Sequence, residues 1–588
     1  MCGIAGIVSA DADFDFSRLK SFEAYLQNRG PDDTGSFQQN NCAFLHKRLS
    51  ILDLSPHARQ PFFNETQTVM AVCNGEIYNY LPLRDFLLAK NHRFVSNSDS
   101  EIVVHLYEEY GEKFIEHIEG EYAVAVWDNQ KGELFLYVDR WGVKPLYYSH
   151  ASDAFCFSSD FTSIVREFLT RKTIDIDALN QYIVFRYVPA PDTLFENVKK
   201  VPGGYYAKVK NNAVELIKYF SLEYDIASTF EENAVHRVRE QTINAIQSRL
   251  RSDVPIGVFL SGGIDSAIVV SAMHQLGINN IRTYAIGFKD EQNDIANEFE
   301  YSSSVAKHFK TDHREIVMTE HDFYESLDEW IDAMGEPVGA PAAIPLLWLS
   351  DIVSRDIKVV LNGQGSDEVF GGYGWYQEML RSINDDNIPQ QFLKHYAGIQ
   401  EKEKNTLLTN HFRRPHVALE RVAKAFKAYK NSGISDKLSA VCYLDFQFGL
   451  SGVGLKEVDA VTMYHSLEAR VPFLTHDLVK LGATIPQRLK IKGGTEKYVL
   501  KQAFKHMLPD KVINRPKLGF PVPIAAWSKK GLGKLTKEYV LGKKSLQRGL
   551  FNEKALATLI DSENSSDCAR NKAFRFLVLE LWLRKFVD

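Results

Sequence analysis

The apolar residues of this chain change their period near residue 205, and no single sheet or helix bundle accommodates both patterns. Before that point they come in short β-type runs, CAFLHKRLSIL, TVMAVCNGEIY, EYAVAVWD, GELFLYVD and KPLYYSH, broken by Gly, Asn and Asp. Such spacing predicts packed antiparallel sheets. A helical stretch, SEIVVHLYEEYGEKFIEHI, falls among the runs, and VPGGYYAKVKNNAVELIKYF reads as a last hairpin, followed by a linker to about 230. After the linker, strands alternate with helices. VPIGVFL ends in Gly-rich SGGIDS, SAIVVSAMHQLG is a helix stopped by glycine, and TYAIGF, HREIVM and IKVVLNG are further strands with helical stretches between. Alternation of this kind implies a doubly wound parallel sheet, whose ligand site lies at the C-terminal ends of its strands. The remainder reads as mainly helical. The expectation is therefore an α+β sandwich of antiparallel sheets with helices over 1–205. An α/β doubly wound domain with a helical C-terminal part takes up 206–588.

Composition narrows the functional classes. Lysine and arginine total 69 against 75 aspartates and glutamates, a net charge of −6 that argues against a strongly basic nucleic-acid binder. With 45% apolar and 24% charged residues the chain reads as globular rather than disordered. No apolar run approaches the ~18–20 residues that span a bilayer, and the first residues lack the basic n-region of a secretory signal. Six cysteines (Cys2, Cys42, Cys73, Cys156, Cys442, Cys568) lie far apart with no CxxC, and the 17 histidines show no metal-ligand spacing. A cytoplasmic enzyme with neither nucleic-acid nor membrane partners is the expectation, and a homodimer is left open.

Cys2 follows the initiator methionine directly. Once Met1 is removed, one residue carries both a thiol and a free α-amine, whose ordinary pKa near 8 suits it to activate the thiol. The segments that follow supply what amide hydrolysis needs: NRGPDDTG (28–35), HKRLSILDLS (46–55), CNGEIYNY (73–80) and SNSDSE (96–101). Asn74 and the Gly75 N–H offer an oxyanion hole. Arg48 offers a fork for an α-carboxylate, and Glu76 and Asp99 offer acceptors for an α-ammonium. With GEYAVAVWD, VDRWGVKPLYYS and FSSD, the first ~200 residues resemble the class II glutamine amidotransferases. That resemblance implies an N-terminal amidohydrolase sandwich with Cys2 as nucleophile, Asn74 and Gly75 as oxyanion hole, and Arg48, Asn74, Glu76 and Asp99 holding glutamine.

A second site is legible in SGGIDS. Backbone N–H groups of Ser261, Gly262 and Gly263 converge where a strand turns into a helix, a natural anion site. The loop lacks the Gly-Lys-Ser/Thr of a γ-phosphoryl-transferring P-loop and resembles that of ATP pyrophosphatases, which cleave between the α and β phosphates. Asp265 and, at the end of IKVVLNG, Asp367 are carboxylates at one sheet rim, suited to a magnesium-bridged pyrophosphate. GEPVGAPAAIPLLWLS, YHSLEARVPFL, LKIKGGTEKYVLK and RPKLGFPVP match in order the synthetase domain of glutamine-hydrolysing asparagine synthetases, so with the N-terminal half nearly the whole chain resembles that family. By that resemblance Leu260, Ser261, Gly262, Gly263, Asp265, Ser266, Ile286, Asn362 and Gly363 bind ATP. Asp265 and Asp367 hold Mg2+, Lys497 reaches the phosphates, and Lys517 lies nearby.

Four positions depart from the family pattern. Gln364 replaces a glutamate tied to intermediate formation at the catalytic centre, Ala460 and Val138 replace arginines, and Thr475 replaces an aspartate. They leave glutamine hydrolysis and adenylation in place and bear on the carboxylate acceptor. Aspartate, giving asparagine with AMP and pyrophosphate, is the first reading. A sugar uronic acid of surface-polysaccharide biosynthesis is the second, and a non-catalytic binding protein retaining the fold is the third.

Overall fold

The structure is a computed structural model. It describes residues 2–588 except 10, 12–13, 40, 152–153, 212, 227–229, 290–298, 385, 432–435, 516–521, 530 and 562–566, so Met1 and Lys517 lie outside the described residues.

The first twelve strands are β1 Cys2–Ser9, β2 Asp33–Gln39, β3 Cys42–Arg48, β4 Phe62–Phe63, β5 Val69–Ile77, β6 Gly120–Asp128, β7 Glu133–Val138, β8 Tyr147–His150, β9 Ala154–Ser158, β10 Val198–Lys200, β11 Tyr205–Lys210 and β12 Ala213–Lys218. They form two six-stranded antiparallel sheets, ordered β10-β8-β9-β1-β3-β2 and β12-β11-β7-β6-β5-β4. Strand alternation assigns each residue to a layer. Ile4, Phe44, Val72, Ala125 and Leu136 meet between the sheets. Cys73, Val124 and Phe135, one position over, pack under helix Ile102–Tyr110. On the far side, Ala5 and Ile7 pack against helices Phe22–Leu26 and Phe161–Glu167. The product is a helix–sheet–sheet–helix sandwich. The division expected at 205/206 falls at the start of the β11–β12 hairpin. Pairing of β11 with β7 carries the sandwich on to Lys218, because Tyr206 and Val209 complete its apolar layers.

Five strands form the second sheet: β13 Ile256–Phe259, β14 Arg282–Lys289, β15 Asp312–Thr319, β16 Val359–Leu361 and β17 Glu468–Arg470. Their order is β15-β14-β13-β16-β17 and every pair is parallel. Helix Ile264–Gln275 covers one face through Ala267 and Ile268, and helix Ala343–Ser354 covers the other through Leu349 and Val353. The chain winds outward from β13 and then returns to its other side, so the switch point lies between β13 and β16, where such sheets bind ligands. Only three residues long and embedded in YHSLEARVPFL, β17 carries no periodicity of its own.

The two domains share one apolar cluster. The last helix, Asp567–Phe586, lays Trp582 against Phe195 and Phe586 against Phe161 of the N-terminal domain. Among the described residues, one helical stretch, Lys437–Met463, is long and apolar enough to cross a membrane, unlike the shorter runs read from sequence, and 72% of its most apolar window is buried inside the protein.

Candidate active sites

The N-terminal site sits at the open ends of β1 and β5. Cys2 is 7% exposed and pairs in register with Arg48 on β3. Its backbone nitrogen, which becomes the α-amine when Met1 is removed, donates to Asn74 Oδ1 at 3.1 Å. That bond points the Asn74 amide nitrogen the opposite way, toward Ser159 Oγ at 3.4 Å. Burial pushes the Cys2 thiol above its ordinary value, against a backbone hydrogen bond from Leu49 and the charge of Arg48.

Gly75 holds φ +145°, and a Cβ there would lie 2.1 Å from the Glu121 carbonyl oxygen, so only glycine fits. Gln60 fixes Cys73, two residues earlier, accepting from its N–H at 2.6 Å and donating to its carbonyl at 3.3 Å. Asp99 accepts from the Ile77 N–H at 2.6 Å, locking the SNSDSE turn onto β5. Glu76 and Asp99 are both buried, and burial raises both carboxyls, Glu76 further because Asp99 and Glu468 lie close. An ammonium placed beside them supplies the opposite charge that burial denies them. Arg48 commits three of its five N–H donors to the carbonyls of Leu52, Asp53 and Ser55. It shapes the loop as well as facing the site.

Behind this pocket stands a wall built by the other domain, which sequence spacing does not reveal. Arg29 donates through Nε to the Cys2 carbonyl (3.3 Å) and through Nη2 to Asp459 Oδ2 (2.9 Å). Lys144 donates to the other Asp459 oxygen at 3.1 Å, and the three side chains are at most 9% exposed. Arg470 on β17 lies 3.7 Å from Glu76 Oε1 and donates to Glu468 and to the Arg249 and Arg251 carbonyls. Arg249 in turn donates to Glu121, the β6 partner of Glu76. A third bridge joins Lys200 (2.9 Å), Tyr147 (2.9 Å) and Lys456 to buried Glu336. These partners are separated by up to 430 residues in the chain, so no local motif announces them.

The C-terminal site is a cleft of about 390 Å³ at the C-terminal ends of β13 and β16. Leu260, Ser261, Gly263, Asp265, Ser266, Ile286, Asn362, Gly363, Gln364, Asp367 and Lys497 all line it, while Gly262, with φ +74°, turns the loop without lining the cleft. Gly363 allows the two loops to touch, since a Cβ there would lie 2.7 Å from Asp265 Cβ. Lys497 Nζ lies 2.7 Å from both Asp265 oxygens and 2.8 Å from Asp367 Oδ1. Ser366 Oγ adds a donor to Asp265 at 2.7 Å. The expected carboxylate pair and the expected cation thus share one point.

Residues the sequence reading passed over line the cleft or, like Glu368 and Asp445, lie outside its lining. Burial raises Glu457, which lines the cleft, to about 8. Burial, with Asp445 and Asp367 nearby, raises Glu368 to about 8, and burial raises Asp445 to about 7. Tyr284, Tyr373, Lys501 and Arg515 also line the cleft. Gln364 packs its amide against Gly454, where a Cβ would lie 2.4 Å from Nε2. Of the other departures, Thr475 begins helix His476–Thr484 and Val138 ends β7, both away from the cleft lining, as is Ala460.

Comparison with known proteins agrees with this two-site plan. A family model described as asparagine synthase matches residues 237–584, and one described as glutamine amidotransferase domain matches residues 1–220. Glutamine-hydrolyzing asparagine synthetase 1 of Bacillus subtilis (strain 168) is 30% identical over 627 residues, covering 99% of this chain and 96% of its own. A putative glutamine-hydrolyzing asparagine synthetase of Mycobacterium tuberculosis (strain ATCC 25618 / H37Rv) is 29% identical over 634 residues, covering 100% and 96%. A protein named amidase chry2 from Gibberella zeae (strain ATCC MYA-4620 / CBS 123657 / FGSC 9075 / NRRL 31084 / PH-1) is 29% identical over 623 residues, covering 92% of each chain. On the match over 237–584 and the end-to-end likeness to these relatives, the chain belongs to the asparagine synthase family, with a glutamine amidotransferase domain ahead of its synthetase domain.

Proposed function

We propose that this chain transfers the amide nitrogen of glutamine to aspartate, forming asparagine, AMP and pyrophosphate. Cys2 Sγ attacks the glutamine amide carbon, and its proton passes to the α-amine of the same residue. The Gly75 N–H holds the oxyanion, joined by Asn74 Nδ2 once that amide turns from Ser159 Oγ, where it now points. Collapse releases ammonia as it takes that proton, and water then frees glutamate from the thioester. In the other domain the acceptor carboxylate attacks the α-phosphorus of ATP and pyrophosphate leaves. The Ser261–Gly263 loop and Lys497 hold the phosphates. Ammonia then displaces AMP from the acyl-adenylate.

Asp265 and Asp367 are the two oxygen donors that would hold a magnesium ion, with Lys497, which now bridges them, moved onto the phosphates. When bound, magnesium neutralises pyrophosphate charge. Ammonia is nucleophilic only when unprotonated and an adenylate hydrolyses in water, so a closed path between the sites prevents both losses.

The observation that carries the reading is the shared wall: Arg29, bonded to the Cys2 carbonyl, pairs with Asp459 of the synthetase domain. The decisive assay supplies aspartate, ATP and glutamine and identifies the nucleotide product. AMP with pyrophosphate is expected. Cys2→Ala should lose glutamine-dependent synthesis and keep ammonia-dependent synthesis. ADP with phosphate would overturn the mechanism, and AMP release with another acid but not with aspartate would overturn the acceptor. Gln364 makes that second outcome worth testing on a panel of carboxylic acids.

A further inference from the structure

Two histidines and two glutamates of the N-terminal domain, none of them a residue of either site described above, converge. Glu65 follows β4, His92 lies just beyond helix Tyr80–Ala89, and His105 and Glu108 lie three residues apart on helix Ile102–Tyr110, hence on one face. One nitrogen or oxygen from each lies within 4.8 Å of those of the other three.

The separations are those of ligands around an ion rather than of hydrogen-bonded partners. His105 Nδ1 is 3.5 Å from Glu65 Oε2 and 3.9 Å from Glu108 Oε2. His92 Nδ1 is 3.6 Å from Glu108 Oε2 and 3.7 Å from Glu65 Oε1. All four exceed a normal hydrogen bond. Four ligands at zinc bond lengths in a tetrahedron have edges of about 3.3–3.6 Å, close to what is seen. His105 is 1% exposed and neither ring nitrogen has a hydrogen-bond partner, a costly arrangement unless something occupies the space it faces.

The orientation of each group points the same way. Both rings turn Nδ1 inward. His92 Nε2 donates to Glu109 Oε1 at 3.1 Å, and His105 Nε2 lies 3.9 Å from Glu101 Oε1. A carboxylate hydrogen-bonded behind an imidazole fixes the tautomer that presents a lone pair to a metal, and Glu109 does this for His92. Glu108, held by Asn64 Nδ2 on Oε1 (2.8 Å), turns Oε2 toward both rings, while Glu65, held by the Arg93 N–H on Oε1 (2.7 Å), offers Oε2 to His105 and Oε1 to His92. Two carboxylates and two imidazoles make an N2O2 donor set of the kind divalent cations take.

We propose that Glu65, His92, His105 and Glu108 form a structural divalent-cation site, with zinc the ion best matched to an N2O2 tetrahedral set. All four positions are filled by protein, so the site is a clip and not a catalytic centre. It ties the segments around 65 and 92 to helix Ile102–Tyr110.

The test uses the untagged full-length protein, treated with a chelator, dialysed against zinc and analysed for metal. The same measurement on Cys2→Ala removes the buried thiol as a competing ligand. One zinc per chain is expected in both, with a melting temperature that rises on zinc addition. Glu108→Gln, at a partly exposed position that tolerates the change, should lose the zinc and the thermal response while hydrolysing glutamine as before. Glu109→Gln should bind about 10–100-fold more weakly. Zinc well below one per chain, or undiminished zinc in Glu108→Gln, overturns the site.

Discussion

Asp459→Asn is the substitution that most directly probes how the two domains are held together. Asp459 is 1% exposed and receives Arg29 at 2.9 Å and Lys144 at 3.1 Å, which are 9% and 2% exposed. Replacing the carboxylate by an amide leaves two buried cations facing one neutral acceptor. Removing one partner of a buried pair costs about 3–5 kcal/mol, mainly through the uncompensated charge left behind. A typical domain is stable by only about 5–15 kcal/mol, so the loss is large. Because the pair crosses the domain boundary and Arg29 also holds the Cys2 carbonyl, the first effect should be on coupling. Glutamine-dependent synthesis is expected to fall well below ammonia-dependent synthesis in the variant, and the first urea transition to move to lower concentration. The triple change Arg29→Met, Lys144→Met, Asp459→Leu should cost less than the sum of its parts, since it leaves no orphaned charge. An Asp459→Asn protein with an unchanged ratio of the two activities and a loss below about 1 kcal/mol would refute the reasoning, since a buried pair broken on one side costs more than that.

Three further outcomes follow from the sites themselves. Burial raises the Cys2 thiol and leaves its deprotonation to the α-amine, so kcat/KM for glutamine should climb between pH 6 and 9; a flat profile there would contradict that role. Lys497→Met should slow acceptor-dependent ATP–pyrophosphate exchange by about 10²–10³-fold while glutamine hydrolysis persists, and retained exchange would remove Lys497 from the phosphates. Glu457 is raised by burial to about 8 in the folded chain, above its unfolded value. Its contribution to stability is therefore present at low pH and lost as pH climbs toward 8, with a slope of up to about 1.4 kcal/mol per pH unit. Urea midpoints of Glu457→Gln should fall less between pH 6 and 8 than those of the unsubstituted protein, and parallel declines would refute this.

Much of this molecule is readable along the chain because the relevant forces are local. Period-2 runs become sandwich strands since alternate residues face different layers, and SGGIDS becomes a loop at a strand end since two glycines permit the turn. Cys2, Asn74, Gly75, Glu76 and Asp99 come together because β1 and β5 lie on facing sheets and Asp99 caps the turn onto Ile77. Other features have no local signature. Three-residue β17 is too short for a period, yet it delivers Arg470 to Glu76. His92 and His105 are thirteen positions apart with glutamates on either side, a spacing that suggests no metal until the helix folds back over the segment after β4.

Sequence alone determined the two-domain plan, the N-terminal thiol and the Gly-rich loop at a strand end, because turns, strand alternation and short motifs are set by neighbours a few residues away. Tertiary structure alone decided which charges meet. Arg29 finds Asp459, Lys497 finds both Asp265 and Asp367, and two histidines and two glutamates close around one point. Those encounters depend on packing and on the cost of leaving a buried charge without its counterion, quantities that exist only once the chain has excluded water.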